Sequence, residues 1–281
     1  MISIFARPSF IGNRFPRHTK DSSLLRISSA VRAEELASLI GARLNPTSGY
    51  EGDVIIHVKP RKLKLVRDGE YVDFLDGGKD LNSLKDRPGV KIIAASQSSY
   101  EYLKANFPNE IILIPSHHIN FERLQHVRTS TNVLQCGYTG SPSPITFRLY
   151  KDIGKRLEAA GLAFKTCFDY KHRRDSVNFY QSIDVMVIGD FVGDDSVHKI
   201  PTKIINAASF GVPTVAYPLQ GYKEIEGFYV RATTKEELVA EVLRFRDTRY
   251  YNAFSQKVRE MADRYHINNI AKLYEQLVWV T

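Results

Sequence analysis

Lys199, Thr202, Lys203 and Asn206 fall within one short run, Lys199-Ile-Pro-Thr-Lys-Ile-Ile-Asn-Ala-Ala-Ser-Phe-Gly-Val-Pro-Thr-Val-Ala-Tyr-Pro-Leu-Gln-Gly-Tyr-Lys-Glu224. Two ammonium groups, a hydroxyl and a carboxamide at the opening of a helix suit a phosphate or pyrophosphate, because the first N–H groups and the positive dipole end also face that point. The run reads as a polar loop, a short helix, a glycine turn, a buried strand and a second polar loop. Pro201 fits the first helical turn, where a missing N–H is harmless. Ile204, Ile205, Ala207 and Ala208 can bury one side, and Gly211 stands where a left-handed C-terminal residue is wanted. Thr214-Val-Ala216 has the low polarity of a strand inside a parallel sheet.

The pattern Pro-x-Lys-x-x-Asn-Ala-x-x-x-Gly-x-Pro-x-Val-Ala, followed by Gly221-Tyr-x-Glu224, resembles the donor-site segment of glycosyltransferases with the two-Rossmann GT-B fold, of the group 1 or family 4 type. In that family the segment normally reads Lys-x-x-Glu-Ala-x-x-x-Gly-x-Pro-Val-Val-Ala and belongs to the C-terminal lobe, which holds a nucleotide-diphosphate sugar. The resemblance implies that Lys203 faces phosphate and that Asn206 stands where a Glu usually bonds the ribose. His198 falls at the position, eight residues earlier, where many retaining members carry an acid. The paired-Glu signature is therefore absent, and stereochemistry stays unassigned. The resemblance spans most of residues 130–281 and extends to the first half by general plan.

Other candidates follow from the rule that ligands of open α/β sheets sit beyond the strand carboxyl ends. Gly137-Tyr138-Thr139-Gly140, expected as a loop after a strand Val133–Cys136, allows close backbone approach to a pyrophosphate or sugar; an ordinary turn is the alternative. Asp169 and Tyr170 follow the expected strand Ala163–Cys167, where the resemblance places the nucleotide base; stacking by Tyr170 and a plain surface aromatic are equal alternatives. For Glu224 the resemblance implies a polar contact with sugar or nucleotide, and a helix cap is the equal alternative. Of His117-His118, adjacent extended residues that point to opposite sides, His118 is the candidate catalytic base, since imidazole titrates near neutrality; packing or capping is the bland reading. Gly12 and Asn13, after the first strand, are placed at the acceptor by topology. Asp194-Asp195 reads as a solvated pair, and no metal site is expected.

Composition fits this picture. At 281 residues, 43% hydrophobic and 25% charged, the chain is a globular protein with room for two domains, neither disordered nor fibrous. No apolar run reaches the length of a membrane span and the first residues lack a secretion signal, so a cytoplasmic setting is the default expectation. Cys136 and Cys167 read as packed thiols without metal-ligand spacing. The net charge of +8 favours acidic partners: nucleotides, anionic surfaces and, as the weaker fit, nucleic acid, since no basic cluster is interleaved with aromatics. The basic clusters (Arg14 to Arg26, Arg61 to Lys64, Lys171 to Arg174) read equally well as solvated faces.

Alternating strands and helices predict an α/β fold of two Rossmann-like lobes with a cleft between them. Expected elements are a strand Ile2–Ala6, a helix Leu24–Leu44, a strand Asp53–Val58, a hairpin or two short strands at Leu63–Val66 and Tyr71–Leu75, a strand Lys91–Ala95, a helix Ser99–Ala105 and a strand Ile111–Pro115. In the second half helices are expected over Phe147–Ala160 and Ser176–Ser182, strands over Asp184–Ile188 and Phe228–Val230, and a capping box at Thr234 and Glu237. Residues 1–128 form the expected acceptor lobe, and 129–281 the nucleotide-sugar lobe. The tail Asn252–Val280 carries helical periodicity, and the resemblance implies that it returns to the first lobe.

The expected activity is metal-independent transfer of a hexose-like sugar from a nucleotide-diphosphate sugar, a substrate and not a cofactor, to an acceptor hydroxyl on a glycan, lipid-linked carrier or protein. Two alternatives stay open: a non-catalytic binding scaffold, favoured by Asn206 and His198, and a nucleic-acid-modifying sugar transferase or nucleic-acid binder.

Overall fold

The computed structural model describes residues 1–6, 31–60, 62–75, 81–128, 134–141, 143–170, 173–189 and 197–278. The chain divides into two compact units. One comprises Met1–His117, Asp195–Ile200 and Ile267–Thr281; the other comprises His118–Asp194 and Pro201–His266.

The first unit is built on a parallel sheet of β1 (Ile2–Phe5), β2 (Arg43–Leu44), β3 (Val54–Val58), β4 (Tyr71–Asp73), β5 (Lys91–Ala94) and β6 (Ile111–Leu113), in the order β2-β1-β3-β4-β5-β6. These strands are mostly apolar and largely buried because both sheet faces are covered. Tyr71 and Ile93 enter one core with Ile4, Leu36 and Ile56, whereas their neighbours Val72 and Ile92 enter the other with Leu84, Leu103 and Phe107. Its helices include α1 (Leu36–Ile40) and α2 (Gln97–Asn106). α2 opens on Ser96, whose hydroxyl accepts the Ser99 N–H at 3.2 Å.

Two expectations need correction here. The helix expected over Leu24–Leu44 ends early: residues 24–30 lie outside the described residues, the π-helical turn Val31–Glu35 runs into α1, and Gly41 closes it at φ +66°. The chain then turns into β2, where Ser3 and Ile4 pair with Arg43 and Leu44. The hairpin around Asp68-Gly69 is absent. Leu63–Leu65 is a single 3-10 turn, and β4 pairs parallel with β3, Ile56 opposite Tyr71. A parallel partner requires the chain to return to the end of the sheet at which β3 began, and the connection from Val58 to Tyr71, which contains the Leu63 turn, makes that crossover.

The second unit carries a parallel sheet of β7 (Gln135–Thr139), β8 (Ala163–Cys167), β9 (Val185–Ile188), β10 (Thr214–Ala216) and β11 (Val230–Arg231), ordered β11-β10-β9-β7-β8. The helices are α3 (Pro144–Ala159), α4 (Arg173–Gln181), α5 (Thr202–Ser209), α6 (Lys235–Arg244) and α7 (Thr248–Ala262). Gly211 takes φ +75°, the left-handed closure read from sequence, and Gly161 takes φ +72° after α3. Pro201 stands just before α5, its carbonyl accepting the Ile205 N–H at 3.0 Å. The capping box is modified: Thr234 accepts the Glu237 N–H at 3.1 Å, while the Glu237 carboxylate returns to the N–H of Thr233 at 2.7 Å.

The tail breaks at a 3-10 turn, Asp263–Tyr265, and resumes as α8 (Ile267–Glu275) in the first unit. Ile270, Ala271, Tyr274 and Leu277 pack there into the core containing β1 and β3. Tyr274 donates to Asp73 at 3.1 Å, and Arg32 bonds the same buried carboxylate, fixing α8 to the end of β4. Among the described residues no helix is long and apolar enough to cross a membrane.

Candidate functional site

The carboxyl end of β7 gathers three of the sequence-selected residues. The strand runs further than expected, to Thr139, because Gly137, Tyr138 and Thr139 pair with Lys165, Thr166 and Cys167 of β8. The glycine loop therefore begins only at Gly140. Gly137 serves the core instead: a Cβ there would lie 2.6 Å from Ile183 and 2.8 Å from Phe179. Gly140 is kept bare by different neighbours. A Cβ would meet the Tyr138 hydroxyl at 2.5 Å and the Lys203 Cε at 3.2 Å. The Lys203 ammonium lies 5.8 Å from the centre of the Tyr138 ring. Residues 138, 140 and 203 thus form one cluster at the amino end of α5.

Tyr138 is buried and stacked on Tyr150 of α3, with ring centres 3.5 Å apart. The Tyr150 hydroxyl accepts the N–H of Gly189, the residue after β9, at 3.1 Å. Sequence reasoning passed over Tyr150; its place among the buried residues Ile153 and Leu157 on one helix face was the available signal. Thr139 donates its hydroxyl to the Cys167 carbonyl at 2.9 Å. Thr202 and Lys203 are both half-buried in the first turn of α5.

Asn206 is buried on α5, and its carboxamide oxygen accepts the Ile119 N–H at 3.1 Å. Tyr180 bonds it too, and this bond opposes the burial that otherwise pushes the Tyr180 phenol well up. Tyr170 is half-buried beyond β8, beside exposed Asp169. Glu224 lies in a 3-10 turn, Gln220–Ile225, and its carbonyl accepts from Arg264 at 3.0 Å. Lys199 is half-buried and belongs to the first unit's share of the chain, as does His198, whose Nδ1 is 2.8 Å from the Ser99 hydroxyl. Gly12, Asn13 and the Asp194-Asp195 pair lie outside the described residues.

His118 is set apart from the Lys203 cluster. Its backbone N–H bonds the Tyr265 carbonyl, its Nδ1 accepts the Asn120 N–H at 3.2 Å, and its ring meets His266 edge-on. It lines a cavity of about 260 Å³ with Asn120, Arg123, Ser209, Arg259 and Asp263. Ser209 ends α5, so this cavity adjoins the opposite end of the helix from Lys203. His117, in the first unit, is buried with Nε2 3.0 Å from Glu35. Within the Lys171–Arg174 cluster, Arg173 is no solvated charge. It is buried, bonds the Glu122 carboxylate at 2.9 Å and the Ile119 carbonyl at 2.7 Å, and covers the Phe121 ring. Among the described residues no group of His, Cys, Asp or Glu could hold a metal ion.

The sequence matches no family model and no curated protein. The fold is that of GT-B glycosyltransferases, as comparison with solved structures shows. Anabaena Alr3699/HepE, solved in complex with UDP and glucose, is 13% identical over 100% of this chain and 99% of its own, with a TM-score of 0.61. AviGT4, a glycosyltransferase involved in avilamycin A biosynthesis, is 13% identical, covering 98% of this chain and 96% of its own at a TM-score of 0.58. Sucrose-phosphate synthase from Thermosynechococcus elongatus is 15% identical over 82% of this chain and 69% of its own, at 0.55. At these identities the likeness is one of fold.

Proposed function

We propose that this protein transfers a glycosyl group from a nucleotide-diphosphate sugar to an acceptor hydroxyl. The observation that carries this reading is the convergence of Lys203, the bare backbone of Gly140 and the open end of α5 at one strand terminus. Charge developing on the departing diphosphate would meet an ammonium and oriented N–H groups, and fixed dipoles of this kind supply a large share of catalysis. Thr202, in the first turn of α5, adds a hydroxyl. Glu224 and Tyr170 stand for contacts to sugar and base. No resident metal enters this reading, and it sets the enzyme in the cytoplasm. That HepE was solved with UDP and glucose supports a uridine nucleotide as the first ligand to try.

A second reading, a nucleotide-binding scaffold without turnover, draws on Asn206, whose oxygen is already engaged by Ile119. One experiment separates them. Calorimetric titration with nucleoside diphosphates is followed by a release assay across a panel of nucleotide sugars. Binding with release supports the transferase; binding without release or transfer to any acceptor supports the scaffold. Absence of binding at millimolar concentration removes both.

A further inference from the structure

We infer that the outward face of α3 docks on an anionic lipid bilayer. Its inward face is settled by packing: Tyr150, Ile153, Gly154 and Leu157 are buried. The first turn nevertheless leaves two large apolar side chains in water, Ile145 at 71% exposure and Phe147 at 50%. Phe147 is held in place, its ring centre 4.5 Å from that of Phe168. Behind this tip, Arg148, Lys151 and Lys155 are exposed at spacings of three and four residues, which stacks them on one side of a helix. Among the described residues no ion pair engages these three cations. The neighbouring acid Asp152 is instead held by Arg156 at 3.3 Å and Lys235 at 2.6 Å. Glu158, the exposed acid in the last turn, lies at the end of the helix away from the apolar pair.

Two residues apart on the helix, Ile145 and Phe147 flank the basic stripe on either side, and exposed apolar side chains that enter the acyl boundary while neighbouring cations face headgroups are how a surface helix meets a charged membrane. The net charge of +8 supplies long-range attraction of the same sign. A single-stranded nucleic acid is the poorer occupant, because its bases stack on aromatic rings and gain little from an aliphatic Ile145. This inference stands apart from the glycosyl-transfer reading, as no residue of the Lys203 cluster takes part.

The test is flotation of the full chain with vesicles of phosphatidylcholine alone and with one part in about three phosphatidylglycerol, an anionic surface of the kind that attracts basic segments. Partition into the anionic vesicles, weakening as salt is added, is expected. Each cation near such a surface contributes about fivefold, so the triple change Arg148→Gln, Lys151→Gln, Lys155→Gln should lower partition roughly a hundredfold. Ile145→Ser with Phe147→Ser should lower it as well while leaving the salt dependence in place. Both sets alter exposed positions, and a thermal melt verifies folding; should the charge variant fail to fold, the serine pair and the salt titration decide. The inference is overturned by absent partition, by equal partition into neutral vesicles, or by undiminished partition of either folded variant. Binding of single-stranded nucleic acid through Phe147 without vesicle binding would also overturn it.

Discussion

The carboxamide oxygen of Asn206, in the middle of α5, accepts the main-chain N–H of Ile119 at 3.1 Å. Beside it, Asn120 donates to the carbonyls of Ser209 and Leu124 at 2.9 and 2.8 Å, and Arg173 holds the Ile119 carbonyl. Asn206, for which the resemblance implies a ribose contact, thus clasps the segment opening the second unit. Asn206→Ala should leave the Ile119 N–H buried and unsatisfied, costing about 1–3 kcal/mol in urea unfolding. Asn206→Asp, which keeps an acceptor, should recover much of that loss. Unchanged stability in the alanine variant would show that the clasp contributes nothing.

Gly140→Ala tests the close approach at the end of β7. The added methyl would sit 2.5 Å from the Tyr138 hydroxyl and 3.2 Å from Lys203, so both must move. Displacements of about 1 Å in positioning groups can cost about a hundredfold, so turnover should fall ten- to a hundredfold. Release assays on a variant with a near-native melting temperature check this; full activity would show that the Tyr138–Lys203 geometry is dispensable.

Lys203→Ala removes a charge from the start of α5 while Ile204, Ile205 and Ala208 remain packed. A charge-assisted contact is worth about 1.5–3 kcal/mol, so nucleotide affinity should drop roughly ten- to a hundredfold. If the ammonium also stabilises the leaving group, turnover at saturating donor falls in addition. Stability should change by about 1 kcal/mol or less, the scale of the Tyr138 ring contact. Unaltered affinity and turnover would place the phosphate elsewhere.

In the first unit, Arg32→Met should cost about 3–5 kcal/mol, because Asp73 would be left as a buried, unpaired charge. Tyr274→Phe, which removes one of the bonds to Asp73, should cost about 1 kcal/mol. Chemical denaturation of both variants gives the order. Equal effects would mean that the Arg32–Asp73 pair carries no particular burden.

Burial, with Glu35 beside it, raises Glu34 from 4.5 to about 7. The folded chain therefore holds a proton that the unfolded chain has released between those values, so this group's contribution to stability falls as pH rises through the window and is flat above it. Glu34→Gln should melt with wild type near pH 5 and above it near pH 8. A melting difference independent of pH would assign the effect to packing.

Much of the second unit was legible in the chain. The α5 segment, its closure at Gly211 and the strands β9 and β10 follow from local rules, since a left-handed glycine, an apolar run and a helix opening are set by neighbouring residues. Strand partners are not. Whether Tyr71–Asp73 folds back as a hairpin or pairs parallel depends on β3 and β5, and the periodicity through residue 44 says nothing of a turn at Gly41 that lets Arg43 join Ser3. The candidate site divides along the same line. Sequence alone determined the chemistry on offer at Lys203 and Gly140, because residue type fixes charge and the room for close approach. Only the tertiary structure decided that Tyr138 packs over Gly140, that Gly137 serves the core, that Asn206 bonds Ile119 and that His118 adjoins the far end of α5. Those are contacts between residues distant in the chain, and they arise from the packing of both faces of each sheet, which no local pattern encodes.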